Sequence, residues 1–200
     1  IEVDVGVMEA ACREMIRGFA QWVRTGVPWV QLKLAASLDG RIATRSGASK
    51  WISSAESRDT VQQMRARADA VVVGVATVLA DDPRLTCRVA GARQPLRVVL
   101  DRRLRTPASA RVVTGPGACL LVCGRGAPSR KRRLLVAAGA EVLEVPATER
   151  SGWRALLGEL GRRGMHEVLV EGGGAVAASA LRARVVNGLT FFYNPRLIGG

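Results

Sequence analysis

The hydrophobic rhythm of the chain changes at residue 29. Before it, Met8, Ala11, Cys12, Met15, Ile16, Phe19, Trp22 and Val23 recur at helical spacing, which predicts one amphipathic helix over residues 7–24. Gly26-Val27-Pro28 then breaks the pattern, and residues 25–28 read as a linker. From Trp29 the period becomes two. Trp29-Val30-Gln31-Leu32-Lys33-Leu34 reads as a strand, Asp39-Gly40 as a turn, and Arg41-Ile42-Ala43 as the returning arm of a hairpin. Residues 56–68 are helical in pattern, with Ser54 placed to cap them. The continuous run Val71-Val72-Val73 predicts a strand buried on both faces, over residues 69–74. Further strands are predicted at 96–100, 120–123, 141–145, 167–170 and 187–193, with helices at 129–138 and 153–162 and a short one reaching Ala80. Alternating strands and helices predict an α/β fold with a largely parallel sheet.

Charge narrows the chemistry. The formal net charge is +13 from 30 basic and 17 acidic residues, and only Lys33, Lys50 and Lys131 are lysines. The arginines are scattered, with one tight run at Arg130-Lys131-Arg132-Arg133, and aromatic residues are only 4%, too few for a platform that stacks bases. An anionic small-molecule site on a solvated basic surface fits better than a nucleic-acid-binding module. No apolar run approaches the roughly 20 residues that cross a bilayer, and no signal-peptide order opens the chain, so neither a membrane nor secretion is expected. The chain begins at Ile1 and stops at Gly200, which suggests a piece of a longer protein. Cys12, Cys87, Cys119 and Cys123 lack Cys-x-x-Cys spacing and read as small hydrophobes of a reducing cytoplasm. His166, the only histidine, lies just before a strand and reads as a surface residue.

The most telling stretch is Glu167-Val168-Leu169-Val170-Glu171-Gly172-Gly173-Gly174-Ala175-Val176-Ala177. A buried strand runs into three glycines and then a small-residue helix. Glycines let a backbone approach a ligand, and the free N–H groups of a helix start attract phosphate. The stretch is neither a Gly-x-Gly-x-x-Gly fingerprint nor a Walker loop. Glu171 stands at the carboxyl end of its strand, where open α/β sheets place ligands. Lys33 is a lone cation on an otherwise apolar strand: it either snorkels to solvent or has a partner. Asp81-Asp82 caps or turns the chain, and Arg65 and Arg88, from separate segments, are able to converge on one phosphate.

Four motifs in order carry a resemblance. They are Leu32-Lys33-Leu34-Ala35-Ala36-Ser37-Leu38-Asp39-Gly40-Arg41-Ile42-Ala43, Ser49-Lys50-Trp51-Ile52-Ser53, Thr77-Val78-Leu79-Ala80-Asp81-Asp82-Pro83-Arg84-Leu85-Thr86 and Val170-Glu171-Gly172-Gly173. Residues 28–200 resemble the reductase domain of the bifunctional riboflavin-biosynthesis deaminase-reductases. The resemblance implies a dihydrofolate-reductase-like fold with a mixed, largely parallel sheet, NADPH as cofactor, a homodimer, and a further strand region past Gly200. Residues 1–27 resemble the end of the deaminase domain plus a linker. The His-x-Glu and Pro-Cys-x-x-Cys that a zinc deaminase needs are absent, so no metal site is expected in this chain.

Carried over position by position, the resemblance implies that Ala35, Trp51, Thr77, Asp81 and the segment Gly173, Gly174, Ala175, Val176, Ala177, Ala178, Ser179 line the cofactor. Arg102 and Arg103 suit its 2′-phosphate, because guanidinium matches phosphate geometry; a solvated turn is the alternative. Ser49, Arg65, Leu85, Arg88 and Glu171 match substrate positions, with Arg65 and Arg88 on the phosphate. The implied substrate is 5-amino-6-(5-phosphoribosylamino)uracil, reduced at the sugar C1′ of its imine form. Lys33, Asp81 and Glu171 are the unranked candidates for proton transfer. A pterin reductase on the same fold, or a non-catalytic relative, stays open on sequence alone.

Overall fold

A computed structural model describes residues 2–44 and 54–199. Ser49 and Trp51 lie outside the described residues. Two helices open the chain, α1 (Glu9–Met15) and α2 (Arg17–Thr25), followed by β1 (Trp29–Ser37), α3 (Ala55–Arg67), β2 (Ala70–Gly74), α4 (Val75–Asp81), β3 (Leu96–Leu100), α5 (Arg111–Thr114), β4 (Cys119–Gly124), α6 (Ser129–Ala137), β5 (Glu141–Val145), α7 (Glu149–Arg162), β6 (Glu167–Val170), α8 (Gly174–Arg182) and β7 (Gly188–Asn194). The strand order is β5-β4-β3-β2-β6-β1-β7, and every pairing in it is parallel.

Parallel neighbours need crossovers, and the helices that supply them cover both faces of the sheet. Alternate residues of each strand therefore enter different cores. Val30, Leu32, Val72, Val98, Leu120, Val168 and Val170 pack with Trp153, Leu156, Leu160, Ala177 and Ala180 of α7 and α8. Val71, Val73, Val99, Leu121 and Leu169 pack with Val78, Val112 and Leu135 of α4, α5 and α6 on the opposite side. Cys87, Cys119 and Cys123 are free and buried, as small hydrophobes should be, whereas Cys12 is exposed on α1. Burial pushes the Cys119 thiol up to about 11.

The expected α/β fold with its largely parallel sheet is present, and four local features differ from expectation. Arg41–Ala43 is not a strand: Ser37 N–H donates to Arg41 O at 2.9 Å, closing a turn. The turn chemistry at Asp39-Gly40 is real: Arg41 returns to Ser37 through its carbonyl and, from its N–H, to the Ser37 hydroxyl at 3.0 Å, but the described residues that follow form no strand. The N-terminal helix is two helices that meet at Ile16 (φ −100°, ψ 9°). Helix α7 starts at Glu149 rather than Trp153, because Thr148 accepts from Ser151 N–H and caps it. His166 is half-buried between two rings, 5.6 Å from the centroid of Phe19 and 4.7 Å from that of Trp22. Among the described residues, no helix is long and apolar enough to cross a membrane.

Helix α2 is built into the sheet unit. Arg17 Nε donates to Glu167 Oε1 at 3.0 Å and Trp22 Nε1 donates to Gly161 O at 2.8 Å. Backbones touch here: a Cβ at Gly18 would lie 2.9 Å from His166 O, and one at Gly161 only 2.0 Å from Gly26 O. Gly161→Ala is therefore expected to destabilise the chain by about 1–3 kcal/mol. Gly158→Ala in the same helix meets nothing within 4 Å. It is expected to be neutral or to stabilise by up to about 1 kcal/mol. Urea midpoints of the two variants check the contrast.

Candidate active site

Register decides what meets at the carboxyl ends of the strands. Leu32 of β1 pairs with Val170 of β6, so Lys33 and Glu171 sit at the same level, one residue further on. Leu32 and Val170 face the core under α7 and α8, so Lys33 and Glu171 face the other side. Helix α3 crosses that side and carries Arg65 in its last turn. The guanidinium grips Glu171 in a two-pronged contact, Nε to Oε1 at 2.6 Å and Nη2 to Oε2 at 2.8 Å. Its Nη1 donates to Thr86 O at 3.0 Å. The pair is largely withdrawn from water, with 15% of the Arg65 and 10% of the Glu171 side chain exposed. Burial works against the Arg65 charge, yet the Glu171 bonds and charge push its pKa above the usual arginine value. Burial lowers the Lys33 ammonium below the ordinary lysine range; Glu171 attraction opposes this and Arg65 repulsion adds to it. The Lys33 Nζ also lies 5.3 Å from the ring centroid of Phe192 on β7.

Beside this cluster runs the glycine bend. Glu171 N–H donates to Val72 O, which carries the ladder one residue past the end of β6. Gly172 is buried, and a Cβ there would lie 2.6 Å from Val176 Cβ; one at Gly74 would lie 2.7 Å from Val176 Cγ2. Gly174 has no room beside Ile42. Gly173 differs, because a Cβ there would meet only Thr77 Oγ1, at 3.8 Å. Gly173 is also the N-cap of α8, extended in conformation and with no side chain capping the first turn. The opening N–H groups of α8 thus face an open bend, with the Thr77 hydroxyl beside it.

The rest of α8 divides by burial. Ala175 is exposed, Val176 and Ala178 are half-buried, and Ala177 packs into the core. Ser179 Oγ accepts from Trp153 Nε1 at 3.0 Å. Ala35 is half-buried on β1, and Asp81 ends α4 with its carbonyl accepting from Arg111.

Ser179 and Trp153 also line a cavity of about 180 Å³ at the carboxyl ends of β3, β4 and β5. Its walls are Leu100, Val122, Val145 and Leu156, and its rim carries Arg102, Thr148 and Glu149. Arg102 lies across Gly124 and donates from Nη1 to Ala147 O at 2.8 Å; Arg103 is exposed beside it. Asp101, buried behind them, accepts from Thr106 N–H and Oγ1, both at 2.7 Å.

The loop after α4 is strapped to α3. Gln62 Oε1 accepts from Arg88 N–H at 2.9 Å, and Gln94 bonds both the N–H and the carbonyl of Cys87. This strap buries Leu85 in a left-handed conformation (φ 55°) and leaves the Arg88 side chain exposed, two residues from the Thr86 carbonyl that holds Arg65. The structure thus brings Lys33, Arg65 and Glu171 together and sets Leu85 and Arg88 beside them. It joins Arg65 to Glu171, whereas sequence reasoning assigns Arg65 to a phosphate. Sequence reasoning misses Gln62, Thr86, Gln94 and Phe192. Nothing local marks the first three; the fourth carries only an aromatic residue in a late strand.

Residues 28–200 match the family model described as the RibD C-terminal domain. The chain belongs to this family. It is 41% identical over 202 residues to the riboflavin biosynthesis protein RibD of Bacillus amyloliquefaciens, an alignment that takes in 100% of this chain and 54% of the relative. It is 40% identical over 183 residues to the 2,5-diamino-6-ribosylamino-4(3H)-pyrimidinone 5′-phosphate reductase of Archaeoglobus fulgidus, covering 86% of this chain and 83% of that protein. Among solved structures, a deaminase/5-amino-6-(5-phosphoribosylamino)uracil reductase from Thermotoga maritima superposes with a TM-score of 0.85 at 32% identity, over 100% of this chain and 54% of that one. The chain spans about half the length of the RibD relatives it matches. The fold is dihydrofolate-reductase-like, as expected for a RibD C-terminal domain.

The clasp has a measurable consequence. Glu171→Ala leaves Arg65 buried and unpaired and is expected to cost about 3 kcal/mol of stability. The double variant Arg65→Ala/Glu171→Ala is expected to lose clearly less than the sum of the single losses. Chemical denaturation of the four members of this cycle reads the coupling.

Proposed function

We propose that this domain reduces 5-amino-6-(5-phosphoribosylamino)uracil, delivering hydride from NADPH to the sugar C1′ of the imine form and giving the ribitylamino product. The observation that carries the reading is the charged trio Lys33, Arg65 and Glu171 held at the carboxyl end of the sheet, beside an uncapped glycine bend. Relatives across the full reductase unit act as reductases of closely similar phosphorylated ribosylaminopyrimidines by name, which supports the substrate class.

The residues present fit a nicotinamide dinucleotide. The N–H groups after Gly173 and the dipole of α8 suit a pyrophosphate, with Thr77 adding a hydroxyl. The apolar cavity between Leu100, Val122, Val145 and Trp153 suits an adenine, and Arg102 and Arg103 at its rim suit the 2′-phosphate. Ala35, Asp81 and the segment Gly173–Ser179 complete the cofactor positions in this reading, with Trp51. When bound, NADPH supplies the hydride.

The chain supplies position and a proton. Both Glu171 oxygens accept from Arg65, so this carboxylate is an oriented acceptor, aimed to receive hydrogen bonds from ring or ribose groups of the substrate. With Arg65 engaged, Arg88 is the exposed guanidinium available to the substrate phosphate, and Leu85 and Ser49 flank it in this reading. Lys33 carries protons to give. Its lowered pKa makes it a better donor to the substrate nitrogen, and an imine accepts hydride more readily once that nitrogen is protonated. In this reading Asp81, at the end of α4, serves the cofactor rather than the proton transfer.

Residues 28–200, extended by α2, form the reductase unit, and α1 belongs to what precedes it. The homodimer implied by the resemblance has a seam available in the exposed Leu189, Phe191 and Tyr193 of edge strand β7.

NADPH oxidation with the ribosylaminouracil phosphate tests the reading. Wild type is expected to turn over, and Glu171→Ala to lose about a hundredfold or more in kcat/KM. Wild-type turnover of dihydrofolate but not of the phosphorylated substrate would favour a pterin reductase. The pH profile is a separate check. Lys33 acts in its protonated form, so activity falls as pH rises through its pKa. That fall is expected below the ordinary lysine value of about 10.4 and is expected to vanish in Lys33→Gln. Arg102→Ala is expected to raise KM for NADPH about tenfold while leaving KM for NADH unchanged.

A further inference from the structure

Among the described residues, three neighbours of Lys33 act on its charge, and one of them has no role so far. Glu171 from β6 attracts it and Arg65 from α3 repels it. The third is the Phe192 ring from β7, 5.3 Å from Nζ to centroid. Register explains the meeting. Lys33 pairs with Thr190 and Ala35 with Phe192, and paired residues of a parallel ladder share a face. Thr190 is taken by Gln31, whose Nε2 donates to its hydroxyl at 2.9 Å, so the next residue along that face, Phe192, meets the lysine. Phe191 and Tyr193 are exposed on the opposite face and stack on each other instead.

A lysine near a sheet edge has a four-carbon stem free to carry its ammonium out to water. Among the described residues, β7 alone lies beyond β1 on that side of the sheet. Glu171 offers attraction, but both of its oxygens already accept from Arg65. An aromatic face attracts a cation at this range without demanding a hydrogen bond, and does so best where water is excluded. We propose that Phe192 is a positioning residue for Lys33: its ring face holds the ammonium beside Glu171, midway along β1 and level with the carboxyl end of β6, where the substrate nitrogen receives its proton. The catalytic part of this inference rests on Lys33 as the proton donor; the contact itself does not.

The chain contains three lysines, so lysine labelled with ¹³C at Cε gives three resonances, and Lys33→Gln identifies the one of interest. Phe192→Leu keeps an apolar side chain and removes the ring. The Lys33 resonance is expected to titrate at lower pH in Phe192→Leu than in wild type, and to return in Phe192→Tyr. The alkaline limb of kcat is expected to move with it, giving about a three- to tenfold loss of kcat at alkaline pH with KM for NADPH unchanged. An unchanged Lys33 titration in Phe192→Leu overturns the proposal. A moved titration with an unmoved alkaline limb upholds the contact and overturns Lys33 as proton donor, which separates the two claims. If Phe192→Leu does not fold, Phe192→Trp decides. Indole binds cations more strongly, so Lys33 must then titrate at higher pH than in wild type, and no upward movement overturns the proposal.

Discussion

A carboxylate at the end of a buried strand must be paired or it neutralises, and the pairing of Glu171 organises everything around it. Arg65 satisfies both oxygens and still has a donor left for Thr86 O. One guanidinium thereby ties the end of β6, the last turn of α3 and the loop after α4, three segments far apart in sequence. The loop is tied again by Gln62 and Gln94, which fixes where Leu85 and Arg88 emerge. Lys33 then occupies a place where its charge is neither fully matched nor free. A carboxylate already paired with Arg65 still attracts it, but does not offset the burial. That imbalance is what makes this lysine a readier proton donor than one in water.

The parallel sheet supplies the stage on which this is useful. Because all strands run the same way, their carboxyl ends open on one edge, and the cluster, the glycine bend and the adenine-sized cavity fall along it in strand order. The three glycines of the bend do different jobs there. Gly172 and Gly174 are small because Val176 and Ile42 press against them, so they serve packing. Gly173 alone faces open space at an uncapped helix start.

What was legible in the sequence follows the range of the interactions involved. Val71-Val72-Val73 announces a central strand because burial on both faces leaves no other pattern, and Ser54 announces a cap because its partner is three residues away. Lys33 announces only a question, since its answers lie at positions 65, 171 and 192. At Asp39-Gly40 the local turn signal is sound and the turn forms, but such a signal does not by itself carry the described residues after it on into a paired strand. His166 reads as exposed because its cover comes from α2, a segment with no sequence link to it. Arg97 is the extreme case, a fully buried cation on an apolar strand whose guanidinium donates to the carbonyls of Ala118, Gly115 and Gly117. It pins the turn before β4 through backbone acceptors, which no motif records. The Ser49–Ser53 motif, which helps carry the resemblance, lies outside the described residues.

The excess positive charge belongs to this picture as a field rather than as a source of stability. Several arginines are in surface pairs, such as Arg132 with Glu144, Arg182 with Glu149 and Arg111 with Asp82. Exposed pairs of this kind contribute only about 0–1 kcal/mol each. Pairing also leaves the sum untouched, so the molecule keeps its +13. In the proposed reaction both reactants are polyanions, one a dinucleotide with three phosphates and the other a sugar phosphate. A basic surface raises the rate at which each finds the site, and that gain fades with salt. In that reading the selective step is left to a few cations: Arg88, its backbone strapped to α3 and its side chain exposed, Arg102 laid across Gly124, and Lys33 lodged between a carboxylate and an aromatic ring.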